Sequence, residues 1–356
     1  MDLRAALEPQ LADVGITRVA DLTGLDEIDV PVCAAVRPAA RSLAVSQGKG
    51  LDAEGAWLGA VLEALELHAA EHVAPDRHAR RAAARGAPCL LPAGTADTAK
   101  ADIDAWVAGR TLPEGAPIWV PHDLVSVDLT RPSRLHGWRR TSNGLGAGAT
   151  IEAATRHALL EVVERHAVAV ANDVPRRARL LPLPRRPAGE LGEVIARIQA
   201  ADARPLLWLL PSPPGLFVVK ARLPAVAAGA PPVIGAACDV TAVDAALRAL
   251  LECIQSRATR LAGARDDLGH GDYATDEEGA LAARLRAALP ASTTDWPDHA
   301  GLPATSEAVV ASLASSGFTE VVVVVLPTPL AGIHVVRVLV PGLRNSFARF
   351  SVARAA

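Results

Sequence analysis

The sequence predicts an α/β (α+β) fold with mixed sheets, built from three strand-turn-helix repeats packed around one shared site. Three observations predict it. Short runs of apolar and β-branched residues alternate with longer stretches rich in Ala, Leu and Glu. One pattern, Ala-x-x-x-Ala-x-Leu-Glu-x-x-Glu/Gln, occurs three times: Ala56, Ala60, Leu62, Glu63, Glu66; Ala154, Ala158, Leu160, Glu161, Glu164, with Arg165 next; and Ala245, Ala249, Leu251, Glu252, Gln255. The first two copies are entered through glycines at one offset, Gly50 and Gly148 each standing thirteen residues before Glu63 and Glu161, with Asp239 at that offset in the third. The copies are spaced by 98 and 91 residues. That is too long for a solenoid and suits a duplicated unit inside one domain. A single domain over 1–356 follows, with subregions 15–130, 131–230 and 231–356.

Taken in order, residues 3–14 read as a short helix and Val30–Val36 as a strand. Ser42–Val45 reads as a strand leading into the turn Ser46-Gln47-Gly48-Lys49-Gly50. The first repeat helix follows, with Asp52 as N-cap, and runs to about His72. Residues 74–117 are rich in Ala, Arg, Pro and Gly, with a helix expected from Thr98 to Ala108. Ile118–Val120 and Leu124–Leu129 read as strands around a Pro121-His122-Asp123 turn. Thr141–Thr150 reads as a glycine-rich loop opening the second repeat helix, Ile151 to Asn172. After a Pro/Arg linker over 175–188 come a helix at 189–201, strands at 206–210, 216–222 and 233–237, and the third repeat helix, Val243 to Leu261. A loop and helix reach Ala288, and strands Glu320–Leu326 and His334–Val340 close the fold.

Composition excludes several functions. Net charge is −3, which gives no bulk attraction to nucleic acid or an acidic membrane. The N-terminus is amphipathic rather than a signal peptide, and the apolar run near Val321–Leu330 is too short to span a bilayer. Cys33, Cys89, Cys238 and Cys253 lack CxxC spacing, which argues against a cysteine zinc site. A cytoplasmic protein with reduced thiols is expected.

In a helix, residues three and four apart share a face, so each repeat sets two oxygen-bearing side chains one turn apart beside small alanines. One such pair alone reads as a solvated helix face. Three matched pairs point to a shared site. Two carboxylates 4 Å apart repel by roughly 4 kcal/mol at an effective dielectric near 20, so Glu63, Glu66, Glu161, Glu164 and Glu252 together must protonate, separate or bind cations. An all-oxygen donor set with no clustered Cys or His points to Mg2+, which commonly comes with phosphates. The glycines before the helices suit anions at helix N-termini, although neither segment is a Walker loop or a Rossmann fingerprint. His157, His166, Cys253 and the basic run Arg77–Arg85 read as packing or surface residues.

These residues resemble a known family. Thr141-Ser142-Asn143-Gly144-Leu145-Gly146-Ala147-Gly148, followed by Glu152 and Glu161-Val162-Val163-Glu164-Arg165, is similar to the central motif of YcaO-domain proteins. Ser46–Gly50 with Glu63–Glu66 resembles their N-terminal motif. Glu252-x-x-Gln255-x-Arg257 with Gly263–Asp267 resembles the third, and Val340–Leu343 a C-terminal element. The resemblance covers residues 15 to 345 and implies a YcaO-like fold and ATP- and Mg2+-dependent activation of a peptide backbone amide. In the family a nucleophile adds to the amide carbonyl, the resulting oxyanion takes the γ-phosphate of ATP, and phosphate leaves to give an azoline, amidine or thioamide.

Carried over by motif, Glu63, Glu66, Glu161, Glu164 and Glu252 are metal residues, and Glu161, Glu164, Arg165 and Glu252 serve the reaction. Ser46, Lys49, Gly146, Gly148, Glu152, Gln255 and Arg257 are nucleotide contacts. Ala149 stands where many members have Asn, which removes one such contact. The chain ends without the proline-rich tail of azoline-forming members. It looks most like the members that work with a TfuA-type partner, implying thioamide formation on a peptide or protein and, by family habit, a homodimer. The alternatives are an azoline cyclodehydratase, an amidine-forming macrocyclase and a nucleotide-binding accessory protein.

Overall fold

The computed structural model describes residues 3–76, 88–92, 103–133, 140–183, 189–224, 232–265, 293–297, 301–344 and 350–353. In chain order the helices are α1 (Leu3–Leu7), α2 (Ala53–Glu71), α3 (His122–Val125), α4 (Ile151–Asp173), α5 (Gly189–Ala200), α6 (Ala242–Ala262) and α7 (Ser306–Ser315). The strands are β1 (Arg18–Asp21), β2 (Val32–Val36), β3 (Val45–Lys49), β4 (Cys89–Pro92), β5 (Trp106–Leu112), β6 (Pro117–Pro121), β7 (Leu145–Gly148), β8 (Arg179–Leu181), β9 (Leu206–Leu210), β10 (Phe217–Leu223), β11 (Val233–Asp239), β12 (Val321–Leu326), β13 (His334–Leu339) and β14 (Phe350–Ala353). The mixed α/β reading holds.

The chain divides into two compact units, each drawn from separate stretches of sequence. The first comprises Met1–Ala39, Leu43–Ala64 and Ala167–Leu302; the second comprises Ala40–Ser42, Leu65–His166 and Pro303–Ala356. Helix α2 therefore passes from the first unit to the second between Ala64 and Leu65, and α4 passes back between His166 and Ala167. These boundaries do not follow the repeats.

The first unit holds the antiparallel sheet β1-β2-β3 and the antiparallel sheet β11-β10-β9-β8. Its core is built from the alternating inward residues Phe217, Val219, Ala221 and Leu223 of β10, packed with Ala245, Ala246, Leu250 and Ile254 of α6 and Leu191, Val194, Ile195 and Ile198 of α5. Thr241 caps α6 by accepting the Asp244 N–H, and Gly263 ends it in the left-handed conformation.

The second unit holds a seven-stranded sheet in the order β14-β4-β6-β5-β12-β13-β7, antiparallel except for the β4–β6 pair. Its adjacent interior strands β12 and β13 are rich in valine and, Val325 apart, mostly buried. Among the described residues no helix is long and apolar enough to cross a membrane.

Several elements differ from expectation. Ser46–Lys49 lies within strand β3 rather than a turn, and Leu145–Gly148 is strand β7 rather than loop. In both, the glycines serve close packing against a helix instead of a bend. Residues 106–108 open β5 rather than ending a helix, because Trp106 and Val107 pair with Pro121 and Val120 of β6. Leu124 and Val125 belong to the helical turn α3. The linker contains a 3-10 turn at Pro175–Arg177 and strand β8. Strand β14 was not expected; it pairs with β4. The Arg77–Arg85 run, the helix to Ala288 and Asp266-Asp267 of the third motif lie outside the described residues.

Candidate functional site

Each repeat is a strand crossed closely by its helix, and the crossing aims the first glutamate back at the strand. A Cβ on Gly48 of β3 would lie 2.1 Å from the Ala56 carbonyl and from the Ala60 nitrogen. On Gly146 of β7 it would lie 2.4 Å from the Ala154 carbonyl and 3.0 Å from the Ala158 Cβ. On Gly235 of β11 it would lie 2.3 Å from the Ala249 carbonyl and 2.8 Å from the Cys253 nitrogen. Those distances leave no room for a side chain, so glycine on the strand is required; the first two crossings meet both patterned alanines, and the third is shifted one turn to Ala249 and Cys253. The patterned alanines thus set the distance at which the glutamate works.

The three first-position glutamates perform the same local task. Glu63 accepts the backbone N–H of Gln47, Glu161 that of Gly144 at 3.1 Å and Glu252 that of Ala236 at 3.0 Å. One carboxylate oxygen of each is thereby fixed by its own strand or, for Glu161, by the residue just before it.

In the first unit, Glu63 and Glu252 accompany Gln47, Lys49, Gln255 and Arg265. Desolvation by the surrounding protein holds the Glu63 carboxyl above its ordinary value, and the charge of Glu252 adds to the rise; the Gln47 N–H, Lys49 and Arg265 pull the other way. The Gln255 amide donates to the Gln47 carbonyl at 3.4 Å, and the Thr259 hydroxyl donates to the Gln47 side chain. Three buried polar atoms here have no hydrogen-bond partner: Ser46 Oγ, Gln47 Nε2 and Gln255 Oε1. Such atoms are costly unless a ligand or water takes them up.

In the second unit, Glu66 accepts the Ala147 N–H at 2.7 Å, so this glutamate of α2 is tied to β7. Arg165 stands 3.7 Å from Glu161 and 3.6 Å from Glu164. Arg337, on β13 opposite Leu145, is fully buried and donates to the Thr141 carbonyl at 2.8 Å. Burial pushes its guanidinium down to about 10, and the Glu161 charge counters that fall. Arg337 Nε and Asn143 Oδ1 are buried without a partner.

Two expected nucleotide contacts have other partners. Arg257 is buried in a bidentate ion pair with Asp26, at 2.7 and 2.8 Å, and its remaining nitrogen donates to the Pro224 carbonyl. Its guanidinium anchors α6 within the first unit. Glu152 stands in the first turn of α4 and accepts the Ser306 N–H at 2.8 Å, so its charge lies at the N-termini of both α4 and α7. Gly148 has its place at the start of α4, where a Cβ would meet the Ala154 nitrogen at 2.7 Å. Cys253 is buried, its thiol raised by desolvation, and it behaves as packing. His166 accepts the Arg344 N–H at 2.8 Å, and desolvation keeps it below its ordinary value.

Gln47 and Arg337 were not singled out from sequence. Gln47 lay inside a quoted motif, and its signal was a polar residue at a strand centre. Arg337 is the lone charge in the run His334–Leu339, a position where an unpaired cation would be costly.

The residues fit Mg2+ and a nucleotide. Hard carboxylate oxygens are the donor set Mg2+ takes, a desolvated glutamate gains from a cation, and the orphaned Ser46, Asn143 and Gln255 atoms await polar partners.

Comparison with known proteins gives the same direction. A sequence model of the YcaO cyclodehydratase family, described as binding ATP and Mg2+, matches residues 47–344. A Rhizobium leguminosarum protein described as an uncharacterized protein in the tfuA 3′ region is 32% identical, over 95% of this chain and 86% of its own. The uncharacterized Mycobacterium tuberculosis protein Rv1375 is 33% identical over 95% of this chain and 80% of its own. Among solved structures, the YcaO protein of Methanopyrus kandleri bound with AMPPCP and Mg2+ superposes with a TM-score of 0.77 at 25% identity, covering 96% of this chain and 89% of that one.

Proposed function

The chain belongs to the YcaO family and is an ATP-dependent enzyme using Mg2+; from that premise we propose that it activates a backbone amide of a peptide or protein for thioamide formation with a TfuA-type partner. The observation that carries the thioamide reading is the likeness, over nearly the whole chain, to a protein whose gene lies beside tfuA.

ATP supplies the phosphoryl group that turns the amide oxygen into a leaving group. Glu63 and Glu252 of the first unit and Glu66, Glu161 and Glu164 of the second would hold Mg2+, each repeat's first glutamate being oriented by the backbone N–H it accepts. Arg165 and Arg337 offset carboxylate charge around Glu161. Ser46, Lys49, Asn143 and Gln255 offer polar contacts to the nucleotide, and Gly146 and Gly148 keep the backbone of β7 close to the start of α4. Chemistry of this kind depends on positioning and charge neutralisation, which such an arrangement provides without a protein nucleophile.

The test is reconstitution with a candidate peptide, ATP, Mg2+, sulfide and the TfuA-type protein, read by mass spectrometry. Replacement of one oxygen by sulfur is the expected product. Loss of one water instead would mean an azoline and overturn the thioamide assignment. Nucleotide binding with neither ATP consumption nor peptide change in the presence of all components would favour the accessory reading.

A further inference from the structure

We propose that the C-terminal end of α2 carries a second metal site, formed by His68, Glu71 and His72, that takes a divalent transition metal of the zinc class. It does not rest on the Mg2+–ATP reading: it uses different residues and a different donor chemistry. Sequence composition argued against zinc because the cysteines are scattered, and no histidine cluster was expected. The fold supplies one through helical spacing.

His68 lies in the last turn of α2 and His72 directly follows the helix, its N–H still bonded to the His68 carbonyl at 3.2 Å, and the two rings stack with centroids 4.2 Å apart. One ligand atom from each of His68, Glu71 and His72 can be chosen so that all lie within 4.8 Å of one another. Zinc–nitrogen and zinc–oxygen bonds of about 2.0–2.2 Å place ligands closer together than this. His72 is exposed and His68 only partly buried, which leaves both rings space to turn toward a shared ion.

Two further contacts prepare these groups. His72 Nδ1 lies 2.8 Å from the His68 carbonyl oxygen. A carbonyl only accepts, so Nδ1 carries the proton and Nε2 keeps the lone pair. Donation of the second ring nitrogen to a backbone carbonyl is the usual arrangement behind a metal-bound histidine. Glu71 is buried, and one of its oxygens accepts both the N–H and the hydroxyl of Ser42. That holds the carboxylate in place. Two imidazoles and one oriented carboxylate make the open three-ligand set of zinc sites that leave a position free for an exogenous ligand.

Glu71 and His72 also line a cavity of about 460 Å³ in the second unit, with Arg41, His122, Asp123 and Asp128 on its walls. Arg41 pairs with Asp128 at 3.6 Å, and Asp123 pairs with Arg140 at 2.5 Å. Both wall aspartates are therefore paired with arginines, and the cavity leaves room for a ligand on a metal at its rim.

The test is Co2+ titration of the full chain in excess Mg2+, which keeps the hard carboxylate sites filled, followed by zinc content after dialysis. The wild type is expected to take up one Co2+ per chain with visible d–d absorption and no thiolate charge-transfer band. His72→Gln and the His68→Gln/His72→Gln double variant should weaken uptake at least tenfold while keeping the wild-type melting transition. Equal uptake by wild type and double variant, or a thiolate band, would overturn the proposal. If the double variant melts early, His72→Gln alone decides, since His72 is exposed and its loss leaves the core intact.

Discussion

Glu63 joins sequence, packing and electrostatics at a single residue. Its pattern position was legible in the sequence, and its strand contact to Gln47 follows from the alanine-glycine crossing beneath it. Its carboxyl is held above the ordinary value of 4.5, first by desolvation. A folded-state carboxyl pKa above the unfolded one means that the native chain holds more protons, so stability falls as pH rises from that ordinary value through the raised one. Glu63→Gln should therefore flatten the decline of stability on that side and make the metal-free protein more resistant to denaturant at neutral pH. Urea midpoints of both proteins at pH 4 and pH 7, without Mg2+ or nucleotide, check this; an unchanged pH dependence would contradict the assignment. Arg257 teaches the opposite lesson. Its motif position suggested a nucleotide contact, yet Asp26, remote in sequence, takes its guanidinium. Such long-range pairing leaves no local signal. Arg257→Ala is expected to destabilise by about 3–5 kcal/mol, because it strands a buried Asp26, and thermal unfolding with a pH series would separate this loss of structure from a loss of ATP affinity.

At the scale of elements, the three repeat helices and α5 were legible almost to the residue because their apolar faces and caps are local, whereas α7 was missed and the helix expected to end at Ala108 gives way to β5. Asp52 accepts the Gly55 N–H at 2.7 Å, as an N-cap should. The strands β3 and β7 were hidden by their own glycines, which signal a turn unless the crossing helix is known. The glycines are instead where the helix backbone comes closest. Gly146→Ala should cost about 1–3 kcal/mol through overpacking and push β7 away from α4, lowering nucleotide affinity along with stability. Gly24→Ala, where a Cβ would meet nothing within 4 Å, is the control expected to change neither. Glu152→Ala should cost about 0.5–2 kcal/mol by removing the acceptor at the start of α7, measured by chemical denaturation, with little effect on nucleotide affinity.

At the scale of the molecule, the family and the cofactors were readable because four motifs occur in order along the chain. The division into two interleaved units was not. Its boundaries fall inside α2 and α4, and nothing in a continuous helical pattern marks the passage from one core to another. The same passage places Glu63 in the first unit and Glu66 in the second, three residues apart on one helix. Binding of a ligand to the folded chain stabilises it by about 2.7 kcal/mol at a hundredfold excess over Kd, so AMPPCP with Mg2+ should raise the unfolding midpoint and AMPPCP with EDTA should not.

The central claim is that the repeated glutamates hold Mg2+ for ATP. Isothermal titration of AMPPCP in the presence of Mg2+ tests it most directly, using wild type, Glu161→Gln and Glu252→Gln. Affinity should fall at least about tenfold, or 1.4 kcal/mol, in each variant, while the folded state is retained by circular dichroism. Unchanged affinity in both folded variants would contradict the account.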